Sequence, residues 1–184
     1  MINKEYIWVT VAIIAIFILW WQSRNNSTSS KSSDASPNVA DSTQNLAVLE
    51  ISVQNGKEFP LYILMHSDGT NNRGGAMNES LTKVLPDAPK AVYMGPSEKP
   101  MLGEMLDGVT KELAELKGEH DLGGGGDPLE LTITIQIANR GLRIKYKYGS
   151  ESSGPPSPVK EYVSKAVQLT NTWITEIEKN KKKK

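Results

Sequence analysis

Apolar and polar residues alternate along several stretches of the chain, which is the pattern of β-strands that bury one face. The clearest case spans residues 131–148, where two alternating runs are joined by Asn139-Arg140-Gly141. Two period-2 runs with a short glycine-containing link predict a β-hairpin. The same criterion predicts further strands at 49–53, 61–65 and 91–94.

Other stretches repeat their apolar residues at helical spacing. One helix is predicted at 102–116, and a short one at 78–85. A longer helix should begin with Ser157 as N-cap and Pro158 as first helical residue, with an apolar stripe over 159–177. The order of these elements predicts an α+β domain, in which an antiparallel or mixed β-sheet has two to three helices packed on one face.

Residues 6–22 form an apolar segment with no charged side chain. At about 1.5 Å per residue, such a segment is roughly 25 Å long as a helix, at the short end for a membrane span. A cleavable signal peptide would have a more basic start than Lys4-Glu5 and small residues after the apolar run, although cleavage further on in the serine-rich stretch stays an alternative. Aromatic residues at both ends favour a transmembrane anchor: Tyr6, Trp8, Trp20 and Trp21.

The anchor is expected to be a passive tether, because proton coupling requires an ionisable group inside the membrane and residues 6–21 contain none. The residues before it, 1–5, form a short N-terminal tail. Charges on the two sides of the segment nearly balance, so they do not fix its orientation. The short tail and the polar stretch that follows favour a domain outside the cytoplasm.

Composition divides the rest of the chain into three parts. Residues 23–45 are rich in serine and asparagine and are predicted to be a disordered linker. Residues 46–178 form the α+β domain, with 13 Lys/Arg against 18 Asp/Glu, and residues 179–184 form a lysine-rich tail. The chain has no cysteine, which excludes disulfides and thiolate metal sites.

Candidate catalytic groups are few, since the chain has two histidines. If the loops that carry His66 and His120 met, imidazole nitrogens and nearby carboxylates could form a metal site. Separately, Ser67 beside His66 could be a nucleophile. No established catalytic spacing supports either hypothesis, and the glycine run 123–126 is interpreted as a mobile connection. No cofactor is expected. The candidate metal ligands are His66, Asp68, His120, Asp121 and Asp127.

A row of basic residues is predicted on one face of the second hairpin strand: Arg143, Lys145 and Lys147. It could bind a polyanion, or it could be the solvated face of an antiparallel sheet. Tyr146 and Tyr148 fall on the other face and cannot stack on bases there, so nucleic acid is not the expected ligand.

These observations favour a single-pass membrane protein that contacts the lipid bilayer through 6–22 and displays a non-catalytic domain for binding a partner protein or a surface polymer. The alternative is a membrane-tethered hydrolase that uses His66 and His120 with nearby carboxylates, with or without a metal ion.

Overall fold

The computed structural model describes residues 47–89, 92–97 and 100–181. These residues form seven strands and three helices. The strands are β1 (Ala47–Asn55), β2 (Glu58–His66), β3 (Thr70–Gly75), β4 (Tyr93–Pro96), β5 (Gly118–Gly123), β6 (Pro128–Ile137) and β7 (Arg140–Gly149). The helices are α1 (Met101–Asp107), α2 (Lys111–Glu115) and α3 (Ser157–Lys181).

All seven strands belong to one sheet in the order β4-β3-β2-β1-β6-β7-β5. Neighbouring strands are antiparallel except β5 and β7, which are parallel, so the sheet is mixed and the domain is α+β as predicted. The predicted hairpin is confirmed as β6 and β7, with Ile133 opposite Ile144.

The core lies between the helices and one face of the sheet. We call this face of the sheet the helical face. Its fully buried aliphatic residues alternate along the central strands, as the sequence pattern requires. Helix α3 contributes Val163 and Trp173, and α1 contributes Met105. The residues of the sheet on this face are Leu49, Ile51, Val53, Leu61, Ile63, Met65, Leu131, Ile133, Ile135, Ile144, Tyr146 and Tyr148.

Arg73 of β3 is fully buried on the helical face and joins the sheet to α3. Its Nε donates to Thr170 Oγ1 at 3.2 Å, and its Nη1 donates to the carbonyl oxygens of Gly74 and Gly75. Burial lowers the pKa of this guanidinium to about 10. Its Nη2 has no hydrogen-bond partner among the described residues.

The single helix predicted at 102–116 is wrong, because two short helices occupy this stretch. Gly108 follows α1, and Thr110 begins α2 by accepting a hydrogen bond from the Leu113 N–H at 3.2 Å. Threonine stabilises a helix more as its N-cap, where the hydroxyl pairs with a free backbone N–H, than in the helix interior. Glycine opposes continuation of a helix.

The short helix predicted at 78–85 is also wrong. Residues 77 and 84 form an isolated antiparallel bridge instead. The Asn78 side-chain oxygen accepts from the N–H groups of Thr82 and Lys83 at 2.8 and 3.1 Å. Asparagine competes in this way with helical hydrogen bonds and stabilises a turn.

Other boundaries differ by small amounts. The strand predicted at 91–94 is β4 at Tyr93–Pro96, and residues 90 and 91 lie outside the described residues. Helix α3 begins at Ser157, one residue before the predicted start, and the Pro156 carbonyl accepts from the Lys160 N–H at 3.1 Å. The helix also continues to Lys181, into the segment expected to be a tail.

Candidate functional site

The face of the sheet opposite the helices is polar, and no helix of the described part of the chain packs on it. We call it the open face. The strand register places two rows of side chains across its centre. The first row is Met94, Asn72, Leu64, Glu50, Thr134 and Arg143, and the second is Gly74, Tyr62, Ser52, Thr132, Lys145 and Glu119.

Glu50 lies at the middle of the first row, on the central strand β1, and is half-buried. Burial raises the pKa of its carboxyl above the ordinary value of 4.5, and the charge of Arg143 partly opposes this rise. The ion pairs formed within the described residues do not include Glu50. Its negative charge is therefore partly removed from water without a bonded cation.

Tyr62 lies on β2, next to the Glu50 strand, and Asn72 lies on β3, one strand further away. Tyr62 is paired with Ser52 and Gly74, so it is a diagonal neighbour of both Glu50 and Asn72. Burial raises the pKa of the Tyr62 phenol to about 12, and the Glu50 charge adds to this rise. Asn72 Oδ1 is buried and has no hydrogen-bond partner among the described residues. Buried acceptors normally have one, so Asn72 Oδ1 is an exception, and it is shielded from solvent.

The electrostatics of Glu50 predict that Glu50→Gln raises the free energy of unfolding at about pH 7 by up to about 1 kcal/mol, a value that allows for solvent screening of a half-exposed group. The charged form is less favourable in the folded than in the unfolded state. The gain is therefore present above the raised folded pKa and disappears below the ordinary value of 4.5, where both states are protonated.

Urea unfolding at about pH 7 and about pH 3.5 measures this difference. Glu119→Gln is the matched control, because it removes an exposed carboxylate from the same face. An equal gain in the control, or a loss of stability in Glu50→Gln at about pH 7, would contradict the prediction.

The predicted basic residues Arg143, Lys145 and Lys147 do lie on the open face. They are not a continuous basic surface, because acidic side chains on β6 and β5 flank Lys145 and Lys147. Lys145 Nζ lies 2.9 Å from Glu130 Oε1 on β6. On the other side, β5 places Glu119 opposite Lys145 and Asp121 opposite Lys147.

The two histidines are not brought together. His66 ends β2, opposite Val48 on β1, whereas His120 is in β5. Strands β1, β6 and β7 lie between β2 and β5. At about 4.8 Å per strand, the two strands are about 19 Å apart, too far to share a metal ion with bonds of about 2 Å.

His120 instead has a structural environment on the helical face. Its ring stacks on Tyr146 with centroids 4.6 Å apart, and its Nε2 lies 2.9 Å from the Leu116 carbonyl oxygen. In the part of the chain that the structure describes, no three His, Asp or Glu side chains are grouped so that they could hold a metal ion.

The remaining candidate metal ligands, Asp68, Asp121 and Asp127, form hydrogen bonds that stabilise turns. Asp68 Oδ1 accepts from the Thr70 N–H at 2.8 Å, which lowers the pKa of that carboxyl, and Asp121 Oδ1 accepts from the Gly123 N–H at 2.9 Å. The Asp127 N–H donates to Ser150 Oγ at 2.9 Å.

Ser67 lines a depression of about 420 Å³ with His66 and Asp68, between the β2–β3 turn and α1. Its Oγ accepts from the Ala47 N–H at 3.3 Å. This bond holds the start of β1 against the turn, and the hydroxyl is not paired with the neighbouring imidazole. The geometry therefore gives no support to a serine nucleophile here.

The glycine run lies at the other end of the sheet and is closely packed. The Gly125 carbonyl accepts from the Glu151 N–H at 3.0 Å. A Cβ at Gly124 would lie 2.8 Å from the Ser152 side chain. The run borders a groove of about 470 Å³ that is lined by Asp121, Glu130 and Lys147. Close packing against the segment that follows β7 favours glycine at positions 124 and 126, whereas a Cβ at Gly123 would meet no described atom within 4 Å.

The predicted anchor residues Tyr6, Trp8, Trp20 and Trp21, together with the linker, lie outside the described residues. Within the described residues, no helix combines the length and apolar character needed to cross a membrane.

Comparison with known proteins gives no relative: no protein-family model and no curated protein sequence matches the chain.

Sequence reasoning did not single out Glu50, Tyr62 or Asn72. A signal was present for Glu50, which alternates with the apolar residues of β1. No signal was available for Asn72, because the sequence of β3, Thr-Asn-Asn-Arg-Gly-Gly, is typical of a turn.

Proposed function

We propose that this chain is a single-pass membrane protein whose non-catalytic α+β domain, carried outside the cytoplasm, binds a partner protein or surface polymer through the open face. The observation that carries the proposal is the open face itself, with a half-buried carboxylate at its centre and the Tyr62 phenol diagonally beside it. A partly desolvated carboxylate is costly in isolation and becomes favourable when a ligand supplies the missing partner.

The membrane part of the proposal rests on the sequence of residues 6–22. The hydrolase alternative is not favoured, because His66 and His120 lie in different strands and on different faces of the sheet.

Membrane anchoring predicts that the full chain sediments with membranes and resists alkaline carbonate extraction, whereas a chain without residues 1–22 is released. The double variant Ile14→Arg/Ile16→Arg should also be released, because each arginine at the centre of a span costs about 2.5–3.5 kcal/mol. The matched control, Ile14→Leu/Ile16→Leu, should stay in the membrane. Carbonate extraction of the unmodified chain would contradict anchoring, and protease access in intact cells would test orientation.

Binding through the open face predicts site-dependent crosslinking in the source cells. A photoreactive phenylalanine analogue at Thr134, on the open face, should give a discrete adduct. The same analogue at Ser164, on the exposed side of α3, should not. Equal crosslinking at both positions, or no adduct at Thr134, would overturn the proposed use of this face.

A further inference from the structure

We infer that the open face binds its partner through a cationic side chain, a lysine or arginine of a partner protein, inserted beside Glu50 and Tyr62. This inference rests on the proposed function, since it names the partner chemistry of the same face. It does not depend on the membrane anchor.

The polar groups at this position share one property: they attract positive charge or accept hydrogen bonds. Glu50 carries a partly desolvated carboxylate without an ion pair among the described residues. Tyr62 is the diagonal neighbour of Glu50 across β1 and β2, and the Glu50 charge acts on its phenol. An aromatic ring attracts a cation through its π face. An ammonium or guanidinium group can therefore bond to the Glu50 carboxylate while it lies against the Tyr62 ring.

The walls of this position suit the aliphatic stem of a lysine or arginine. Leu64 lies between Glu50 and Asn72 in the same row, and Met94 lies beyond Asn72 with 70% of its surface exposed. Val92 Cγ2 lies 3.2 Å from the place that a Cβ on Gly74 would occupy. Lysine and arginine cover apolar surface with their methylene groups while the head group binds polar atoms.

The net charge of the domain also favours a cationic partner. Residues 46–178 carry a net charge of −5, which attracts cationic partners over a distance. The basic side chains of the open face are concentrated on β7, where Lys145 is already paired with Glu130. The half of the face formed by β1 to β4 contains the unpaired carboxylate.

The experiment uses the full chain, labelled with nitrogen-15 in a zwitterionic detergent, and two small probes. The first is N-acetylarginine amide. The second is N-acetylcitrulline amide, which has nearly the same shape but no charge. We expect the arginine probe to shift the amide resonances of Glu50 and Tyr62 in a saturable manner. The citrulline probe should bind at least about fivefold more weakly, which corresponds to about 1 kcal/mol.

Two variants test the assignment of the groups. Glu50→Gln should weaken the arginine probe about five- to tenfold, as expected for loss of a charge-assisted hydrogen bond. Tyr62→Leu, which keeps the carboxylate, should weaken it about two- to fivefold. Glu119→Gln, at the far edge of the same face, should leave the affinity unchanged within about twofold.

Equal binding of both probes would overturn the inference, as would an equal effect of Glu119→Gln and Glu50→Gln, or shifts centred on β5. The test also separates the two proposals. If open-face adducts form in cells but the arginine probe does not bind, the cationic contact is wrong and the binding face stands. If the probe binds and no adduct forms, the cationic site stands and the proposed cellular role is wrong.

Discussion

Replacing Trp173 with alanine is expected to lower the free energy of unfolding by about 3–5 kcal/mol, the range for truncating a buried aromatic side chain. Trp173 is buried in α3, where its ring packs into the core. Its Nε1 also donates to the Pro96 carbonyl oxygen at 3.0 Å, and this bond joins α3 to β4 at the end of the sheet. The variant loses both the packing and the bond. Urea unfolding of the full chain, followed by far-UV circular dichroism, measures the loss.

Trp173→Phe is the matched control, because phenylalanine keeps most of the buried surface and removes only the N–H donor. Its expected cost is about 1–2 kcal/mol, from the unpaired Pro96 carbonyl and the smaller ring. Equal losses in the two variants would show that ring packing contributes nothing. A loss below about 1 kcal/mol in Trp173→Ala would contradict the docking of α3 on the sheet.

Gly149→Ala is expected to destabilise the domain by about 3 kcal/mol, at the upper end of the usual cost of overpacking. Gly149 ends β7 and is buried. A Cβ at this position would lie 2.0 Å from the Gly125 carbonyl oxygen and 2.7 Å from the Gly124 carbonyl carbon. Both atoms belong to the backbone, so the steric clash is removed only if the glycine run 123–126 moves away from β7.

Gly103→Ala is the control for this change. Gly103 is in α1, and a Cβ there meets no described atom within 4 Å. The same substitution should therefore stabilise the domain by about 0.5–1 kcal/mol, through helix propensity and a smaller entropy loss on folding. Urea midpoints of the two variants should move in opposite directions. Similar midpoints would contradict the close approach of the glycine run to β7.

The open face illustrates how far the sequence leads. The alternation in β1, β6 and β7 correctly placed Arg143 and Lys145 on one face and Tyr146 on the other. The pairing of Lys145 with Glu130 and the acidic β5 beside it were not predictable, because alternation defines the face of a residue but not the neighbouring strand.

Strands β3 and β5 were missed for a related reason. Their sequences, Thr70–Gly75 and Gly118–Gly123, contain polar and glycine residues with little intrinsic preference for a strand. They become strands because β2 and β7 supply hydrogen-bonding backbones at their sides. A neighbour that is distant in sequence overrides local propensity. Asn72 joined the candidate site only because β3 exists.

The sequence by itself determined the local and one-dimensional properties of this protein. These are the uncharged segment at 6–22, the absence of thiol chemistry, the α+β class, and the buried and solvent faces of the central strands. Tertiary structure alone decided which side chains meet. It separated His66 from His120 by three strands, placed carboxylates beside Lys145 and Lys147, and placed Glu50 beside Tyr62. The physical reason is that side-chain direction follows from the backbone period of each strand, whereas proximity across a sheet depends on strand order and register.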